Sequence, residues 1–327
     1  MVWRCTHQIR SQHQSGNKYK IARNFPRNAR NDVITPPHYT PKDPSQGGAS
    51  FDKSRESMTV EAKTGIAIIT YNRPDHLRQC LESVLEFTQA YPHAQVVVFD
   101  DCSDYDIENT VQNRCPVKKS SSNLGVVSTK NRALFYFAKT IKTRTIILLE
   151  DDMIVTSKQW LPTWEKACKI HGHINYTAPW FFSKKLKQYF QGGSGSPKDP
   201  HRFAIVTGQC SAVKRSLVRN TVGYLNPRFK GYGFAHVEWT DRLISLGHGG
   251  KVVPGRKTYF SINEGIAPLQ SESLKDPNEL RANHQTFKAI TSDPSQQFIS
   301  RPWLNRMERS VFLHDQEDAV STPSATS

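Results

Sequence analysis

Short apolar runs alternate with amphipathic segments in the first half of the chain. Residues 65–71, 95–99 and 145–149 are almost continuously hydrophobic and are bounded by polar or turn residues, which is typical of buried strands. Between the first two runs, apolar residues in 77–85 recur at helical spacing, and Asn72 is the predicted cap of that helix. Strands that are apolar on both faces and alternate with helices form parallel sheets, so the sequence predicts an α/β fold.

The second half of the chain has a weaker pattern. Residues 237–246 have helical character and are followed by Gly247, a residue that commonly ends helices. Residues 251–260 are rich in strand-forming types, but Pro254 cannot donate a hydrogen bond inside a sheet, so we predict an edge strand there. The Gly- and Lys-rich segment 184–202 is predicted to be a mobile loop.

Both ends of the chain lack a hydrophobic period. Residues 1–57 contain ten Lys/Arg against four Asp/Glu, together with many turn-forming residues. Such a segment cannot bury enough apolar surface to offset its chain entropy. We therefore interpret it as a disordered basic arm or as an artefact of a start codon assigned upstream of Met58. Residues 315–327 are predicted to be a disordered tail, which leaves one domain over residues 58–314.

Composition and charge narrow the classes of function. The 327 residues are 37% hydrophobic, which is ordinary for a globular enzyme, and no apolar run is long enough for a membrane span. The first ten residues lack the apolar stretch of a secretory signal, and the six cysteines include no C-x-x-C pair, so we expect a reducing, cytoplasmic compartment. The net charge of +15 favours partners that carry phosphate: a nucleotide, nucleic acid or the anionic face of a membrane.

Acidic residues follow two of the predicted strands. Residues 100–101 and 150–152 are all Asp or Glu and come directly after apolar runs. Open parallel sheets bind ligands in the crevice outside the carboxyl ends of their strands, and carboxylates there suit Mg²⁺ or Mn²⁺ bridged to a phosphate. An acidic turn exposed to water is the alternative. Lys130 and Arg132 would face the phosphates across this crevice, unless they lie on a solvated helix face.

Five short motifs occur in order along the chain, at residues 69–74 (ITYNRP), 99–103 (FDDCS), 123–132 (NLGVVSTKNR), 149–152 (LEDD) and 208–233. Together they resemble the family 2 (GT-A fold) glycosyltransferases over about residues 65–270. The resemblance implies a GT-A-like, mostly parallel Rossmann-type sheet flanked by helices, with a smaller mixed half on the acceptor side. Residues 65–160 would then form the nucleotide-sugar half and residues 203–314 the acceptor half.

The same resemblance implies an activity and a donor site. The activity is metal-dependent transfer of a sugar, with inversion, from a nucleotide-diphosphate sugar to a hydroxyl of a glycan or lipid-linked acceptor. Tyr71 would pack on the base, Asp100 or Asp101 would accept its imide hydrogen, Lys130 would meet the pyrophosphate and Asp151 would lie near the ribose. The full set of donor-binding residues implied in this way is Tyr71, Arg73, Asp100, Asp101, Asn123, Lys130 and Asp151.

Metal-binding and acceptor-side residues follow from the same resemblance. Glu150, Asp151 and Asp152 stand at the family's D-x-D position, so Asp152 would be the main ligand of Mn²⁺ or Mg²⁺, with Glu150 beside it and His284 as a third ligand. Gly208 and Trp239 would lie on the acceptor side, where Trp239 either packs in the core or forms a platform for a sugar ring.

The chain departs from the family pattern where the catalytic base is expected. Family members commonly carry a Glu-Asp pair after the glycine turn, and this chain has Ala235 and His236 there. His236 can accept a proton near neutral pH, and Glu238 is the other candidate for the base. In a helix the two side chains would diverge by about 200°, whereas in an extended segment both would lie on one face.

Other functions fit less well. A dinucleotide oxidoreductase would need G-x-G-x-x-G after the first strand, and a nucleotidyltransferase would need a Gly/Arg-rich phosphate loop, but this chain has Thr70-Tyr-Asn-Arg-Pro there. The alternative that remains is a catalytically inactive module that binds a sugar nucleotide or nucleic acid. Nucleic acid is the weaker partner of the two, because the sequence contains no aromatic-interleaved basic motif of the kind found in RNA-binding domains. The positive charge also leaves peripheral contact with an anionic membrane open.

Overall fold

One mixed sheet organises the part of the chain that this computed structural model describes, which is residues 63–270, 276–293 and 298–317. Nine of the described strands form this sheet in the order β3-β2-β1-β4-β8-β6-β10-β7, with β9 paired to β10, and β5 pairs with β11 separately. The strands are β1 (Thr64–Thr70), β2 (Ala94–Asp100), β3 (Val117–Lys119), β4 (Thr145–Glu150), β5 (Met153–Val155), β6 (His173–Tyr176), β7 (His201–Phe203), β8 (Cys210–Lys214), β9 (Gly250–Val253), β10 (Arg256–Ile262) and β11 (Ile266–Pro268).

Helices cover both faces of this sheet. They are α1 (Pro74–Thr88), α2 (Ile107–Val111), α3 (Val126–Phe135), α4 (Trp160–His171), α5 (Arg215–Asn220), α6 (Ala235–Ser245), α7 (Pro277–Thr291) and α8 (Arg306–Glu317). Alternate residues of β1 enter two separate hydrophobic clusters: Ile66 and Ile68 pack with α1 and α4, whereas Ala67 and Ile69 pack with α3 and α6. Because successive side chains of a strand point to opposite faces, β1 must be apolar throughout to fill both clusters.

The three strongly apolar runs form the strands predicted from them. β1 pairs in parallel with both β2 and β4, so the predicted α/β fold with a largely parallel first half is confirmed. β8 runs antiparallel to both β4 and β6. The strand β6 is therefore parallel to β4, and the second half of the sheet is mixed, as the resemblance implied.

The structure corrects two local predictions. Residues 251–260 do not form one edge strand: they fold into the β9–β10 hairpin with Pro254 in its turn, where the missing N–H costs nothing. The strand β10 lies inside the sheet, between β6 and β7. The helix α1 begins at Pro74 with Arg73 at the cap, because Asn72 adopts a left-handed conformation (φ 51°) and its side chain accepts a hydrogen bond from Asp104 N instead.

The C-terminal end of the described domain lies further along the chain than predicted. The helix α8 runs to Glu317, beyond the predicted boundary at residue 314, and buries Asp315 against the body of the domain. The predicted arm over residues 1–57 and the remainder of the predicted tail lie outside the described residues. Among the described residues, we find no helix with both the length and the hydrophobicity needed to cross a bilayer.

Candidate active site

The candidate site lies at the edge of the sheet where β1, β2 and β4 end. Because these strands are parallel, their carboxyl ends bring Thr70, Asp100 and Glu150 to one side of the domain. The strand β8 enters the sheet at the same edge, with Cys210 paired to Leu149. This arrangement places the segment before β8 next to the acidic residues that follow β4.

Lys130 and Glu150 form an ion pair at the centre of this edge. The Lys130 ammonium is almost completely buried and donates hydrogen bonds to Glu150 Oε1 at 2.6 Å and to the Gly208 carbonyl at 2.8 Å. The structure thus brings together the predicted pyrophosphate ligand, a predicted metal ligand and a predicted acceptor-side residue. Glu150, however, is directed to Lys130, so its carboxylate neutralises a buried cation.

Arg132 lies elsewhere, which corrects its expected position facing the phosphates. Its guanidinium is buried and donates hydrogen bonds to the Lys119 and Asp315 carbonyls and to Ser120 Oγ. These contacts join α3 to β3 and α8. Arg132 therefore has a structural role in this fold, because a buried guanidinium needs several acceptors.

Asp151 is held by the end of β1. Thr70 Oγ1 donates a hydrogen bond to Asp151 Oδ2 at 2.7 Å, and Arg73 Nη1 lies 3.3 Å from Asp151 Oδ1. Burial raises the pKa of Asp151 to about 7, although the Thr70 hydrogen bond and the Arg73 charge act in the opposite direction. Asp151 and Arg73 were predicted separately as donor ligands, and the structure places them together beside half-buried Tyr71.

Asp100, the last residue of β2, and Asp101, which follows it, each hold a loop through hydrogen bonds. Asp100 is completely buried and accepts hydrogen bonds from the amide and hydroxyl of Ser103, so it does not present its carboxylate to a nucleotide base, contrary to expectation. Asp101 accepts hydrogen bonds from the amides of Leu124 and Gly125 at 3.0 and 2.7 Å. Burial raises the pKa of Asp101, and these amide hydrogen bonds oppose that rise.

The loop that Asp101 holds leads directly into α3. Asn123 Oδ1 also accepts a hydrogen bond from Gly125 N at 3.1 Å, and Gly125 itself has a φ of 84°, a conformation that favours glycine. Asn123 is exposed at this edge. Asp101 and Asn123 therefore fix the entry to the helix that carries Lys130.

His236, on α6, packs against Gly208. A Cβ atom added at Gly208 would lie 3.3 Å from His236 Cβ and 3.4 Å from Lys130 Nζ, so the absence of a side chain lets these two groups approach each other. His236 Nε2 lies 2.8 Å from Asn175 Oδ1, whereas Nδ1 is buried and makes no hydrogen bond within the described part of the chain. Burial, Lys130 and His173 all lower the pKa of His236 well below its ordinary value, so the ring is neutral.

A buried polar cluster behind His236 escaped the sequence analysis. His173 Nε2 lies 3.0 Å from the same Asn175 oxygen, His173 Nδ1 lies 2.9 Å from the Ala212 carbonyl, and Thr240 is within 3.5 Å of both rings. The signal in the sequence is the pattern His-x-Asn on a strand, since residues two apart lie on one face. The pattern alone does not identify the cluster, because His236 and Trp239 of α6 reach these residues of β6 only in the tertiary structure.

Glu238 and Trp239 do not face the crevice, which corrects both predictions. The Glu238 carboxylate is 2% exposed and binds Arg242 through both oxygens, at 2.6 and 3.1 Å. The Trp239 ring is completely buried and donates a hydrogen bond from Nε1 to the Gly223 carbonyl at 3.1 Å. The segment is helical from Ala235 onward, so the side chains of residues 236 and 238 diverge. Trp239 belongs to the core and offers no face to a sugar.

The three predicted metal ligands are not assembled. Among the described residues, no group of three or more His, Cys, Asp or Glu side chains is placed to hold a metal ion. Glu150 is paired with Lys130, and the His284 ring on α7 stacks on Phe234 with a centroid distance of 5.0 Å. Asp152 Oδ2 lies 3.4 Å from Gln209 Nε2, beside Asp151. The residues therefore fit a cation held by one or two carboxylates together with substrate phosphates, and they do not fit a closed protein cage.

Comparisons with known proteins agree with the motifs. Residues 65–221 match the model of Glycosyl transferase family 2. Over these residues the chain resembles that family, and the enzyme class that the match supports is glycosyltransferase. No curated protein sequence matches the chain significantly.

Solved structures with a similar fold include a mannosyltransferase from Pyrobaculum calidifontis in complex with GDP-Man and Mn²⁺, with 13% identity and a TM-score of 0.47 over 71% of this chain and 62% of that one. Residues 1–349 of TarS from S. aureus have 17% identity and a TM-score of 0.43 over 62% and 60%. The catalytic domain of Drosophila β1,4-galactosyltransferase 7 has 12% identity and a TM-score of 0.43 over 69% and 79%. This chain thus spans about three fifths of the length of the first two.

Proposed function

Starting from the match of residues 65–221 to the family 2 glycosyltransferases, we propose that this protein transfers a sugar from a nucleotide-diphosphate sugar to a hydroxyl of a glycan or lipid-linked acceptor, with inversion. One observation carries the proposal. At the edge of the sheet a buried ammonium (Lys130) and a neutral imidazole (His236) contact Gly208, and two adjacent carboxylates (Asp151 and Asp152) follow β4 at the same edge, with Asp152 next to Gln209. Charge for a diphosphate and a proton acceptor for a hydroxyl therefore lie side by side.

The donor end of the site is assigned to the groups nearest the ends of β1 and β4. Tyr71 is available to pack on the base, and Arg73, which now holds Asp151, supplies positive charge for the diphosphate. Lys130 is the second cation, and movement of its ammonium from Glu150 toward a phosphate would leave Glu150 exposed to the crevice. Fixed positive groups stabilise a departing diphosphate because negative charge develops on it as the glycosidic bond breaks.

Asp152, with Asp151 beside it, is the position we assign to Mn²⁺ or Mg²⁺. When bound there with the donor phosphates, such a cation would neutralise the negative charge of the leaving group. Asp152 stands at the edge next to Gln209, immediately before β8. Its carboxylate is therefore held on the side of the crevice where the phosphates would lie.

His236 is the group we assign to the proton of the acceptor hydroxyl. With Nε2 donating to Asn175 Oδ1, the lone pair of Nδ1 is left to accept that proton as the hydroxyl oxygen attacks the anomeric carbon. The lowered pKa keeps the ring neutral before the reaction.

A non-catalytic module that binds a sugar nucleotide is the second candidate. Ala235 and His236 stand where family members commonly carry carboxylates, and the His236 ring is a weaker base than an ordinary histidine because burial and Lys130 lower its pKa. Such a protein would retain the donor site and lack turnover.

We also place the protein in a reducing compartment such as the cytoplasm, because the five described cysteines are unpaired.

A turnover screen separates the two candidates. Purified full-length protein is mixed with uridine, guanosine and thymidine diphosphate sugars, with Mn²⁺ or Mg²⁺, and release of nucleoside diphosphate is measured with and without glycan and lipid-linked acceptors. Acceptor-dependent release from one donor, lost in His236→Ala, supports the transferase. Donor binding measured by calorimetry, with no release on any acceptor, supports the non-catalytic module and overturns the enzymatic assignment.

A further inference from the structure

The segment between β6 and β7 presents aromatic and basic side chains to solvent. Trp180 and Phe182 are 44% and 39% exposed, and the neighbouring Lys184, Lys185 and Lys187 are all exposed. We call these five residues the basic aromatic surface. Large aromatic side chains are usually buried, so two of them exposed beside three lysines indicate a surface that meets a partner.

The charged residues along this segment all have one sign. The sequence contains no Asp or Glu from residue 166 to residue 198, between Glu165 and Asp199. Asp199 is itself paired with Arg202 at 2.8 Å. A partner for this surface must therefore be anionic and must also accept aromatic rings.

The surface is built on a firm support. Phe181 is buried and packs on Phe203 of β7 at a centroid distance of 5.4 Å, and Phe182 packs on Phe190 and Phe203 at 5.7 and 5.3 Å. Hydrogen bonds from Ala204 N to the Tyr189 carbonyl and from Gln191 N to the Arg202 carbonyl tie the segment to β7. The backbone of the segment and the Phe182 ring are thus held relative to the sheet, which lowers the entropy lost on binding.

The sheet places this surface at the same edge as the candidate active site. Because β4 and β6 both run antiparallel to β8, the carboxyl end of β6 at Tyr176 lies at the same edge as Glu150. The basic aromatic surface begins within a few residues of that point, in the short helix Pro179–Phe182. A partner bound there lies beside the crevice.

We propose that the basic aromatic surface docks the protein on an anionic phospholipid bilayer, with the crevice facing an acceptor embedded in that bilayer. Indole and phenyl rings favour the boundary between headgroups and acyl chains, and lysines are attracted to anionic headgroups. Nucleic acid phosphates would also pair with the lysines, so binding to single-stranded DNA is the competing outcome of the test. The choice of a lipid-linked acceptor rests on the proposed function, whereas bilayer binding does not.

Co-sedimentation of the full-length protein with vesicles tests the proposal without any donor. We expect binding to phosphatidylcholine vesicles that contain phosphatidylglycerol, weaker binding at high salt, and little binding to phosphatidylcholine alone. The triple variant Lys184→Gln/Lys185→Gln/Lys187→Gln should lose up to about 100-fold in affinity, since each lysine near an anionic surface contributes roughly fivefold. Trp180→Ser should weaken binding at unchanged charge, and melting temperatures confirm that each variant is folded.

A matched control changes three lysines at the opposite edge. Lys139 and Lys142 precede β4 and Lys169 precedes β6, and all three are exposed. Equal losses in Lys139→Gln/Lys142→Gln/Lys169→Gln and in the first triple variant would mean that net charge alone is responsible and would overturn the proposal. Retention on single-stranded DNA that the first triple variant abolishes, with vesicle binding intact, would assign the surface to nucleic acid instead.

The acceptor is tested separately from docking. If vesicle binding is confirmed, transfer to a lipid-linked acceptor in anionic vesicles should fall in the first triple variant, while transfer to a soluble analogue of that acceptor is retained. Vesicle binding with no transfer in any assay would contradict the proposed enzyme and leave docking intact. Transfer with no vesicle binding would contradict the docking surface and leave the enzyme intact.

Discussion

The buried ring of His173 makes the stability of the protein depend on pH in a direction that can be worked out from its surroundings. Burial lowers the pKa of His173 from 6.5 to about 4, with a smaller contribution in the same direction from His248, while its hydrogen bonds to Ala212 and Asn175 oppose the change. His236, which lies on α6, is a second titratable group that faces the His173 ring. The ring is therefore neutral in the folded protein over the whole range in which it becomes charged in the unfolded chain.

The sign and size of the effect follow from proton linkage. A histidine whose folded pKa is depressed contributes stability that is present above about pH 6.5 and is lost as the pH falls through about 4. At about 1.4 kcal/mol per pKa unit, the loss amounts to about 3 kcal/mol. Buried carboxyls such as Asp151 and Glu238, whose pKa values are raised, change the stability in the opposite direction over part of the same range. The total stability curve therefore does not isolate His173.

A difference measurement does isolate it. Urea unfolding followed by tryptophan fluorescence is performed on the native chain and on His173→Gln from about pH 7 to about pH 4. The variant is expected to be less stable than the native chain at neutral pH. This difference should shrink by about 3 kcal/mol at the acid end, because only in the native chain does unfolding expose the His173 ring, which then takes up a proton. His314→Gln on the exposed face of α8 is the control for the loss of a histidine that is not buried. A deficit that stays constant across this range would refute the reasoning.

The remaining predictions concern the site and the core. His236→Ala should lower turnover by roughly 10²–10⁴-fold at saturating donor, with unchanged donor affinity. Glu238→Gln should chiefly lower the unfolding free energy, by about 3–5 kcal/mol, because it leaves the buried Arg242 guanidinium without its carboxylate partner. Loss of turnover in folded Glu238→Gln, with turnover retained in His236→Ala, would contradict both assignments. Asp152→Asn should weaken the binding of Mn²⁺ by roughly 100-fold or more, as measured by calorimetry in the presence of a nucleoside diphosphate. An unchanged affinity would show that Asp152 is not a metal ligand. Gly65→Ala should cost about 1–3 kcal/mol because the new Cβ would lie 2.2 Å from the Phe137 ring; Phe137→Leu in the same chain should recover part of that loss in denaturant unfolding, and no recovery would mean that the clash is not the cause.

The strands, and the edge of the sheet that carries the candidate site, can be predicted from the sequence. Residues 65–71, 95–99 and 145–149 are almost continuously hydrophobic because their strands are buried on both faces, and this pattern can be recognised from the local sequence. The acidic residues that follow them mark the carboxyl ends of parallel strands, so the crevice is implied as soon as the strands are known. The order of the family motifs added the enzyme class, which the match over residues 65–221 supports.

The partner of each charged side chain depends on the tertiary structure. Lys130 and the Gly208 carbonyl are 78 residues apart in the chain, and His236 and Asn175 are 61 residues apart. The sequence gives no means of bringing such residues together, because their contacts depend on the order of β4, β8 and β6 in the sheet and on how α6 packs over it. The same dependence moved Glu238 from a candidate base to a buried ion pair: the pitch of α6 turns residue 238 away from the crevice and toward Arg242, one helical turn further on.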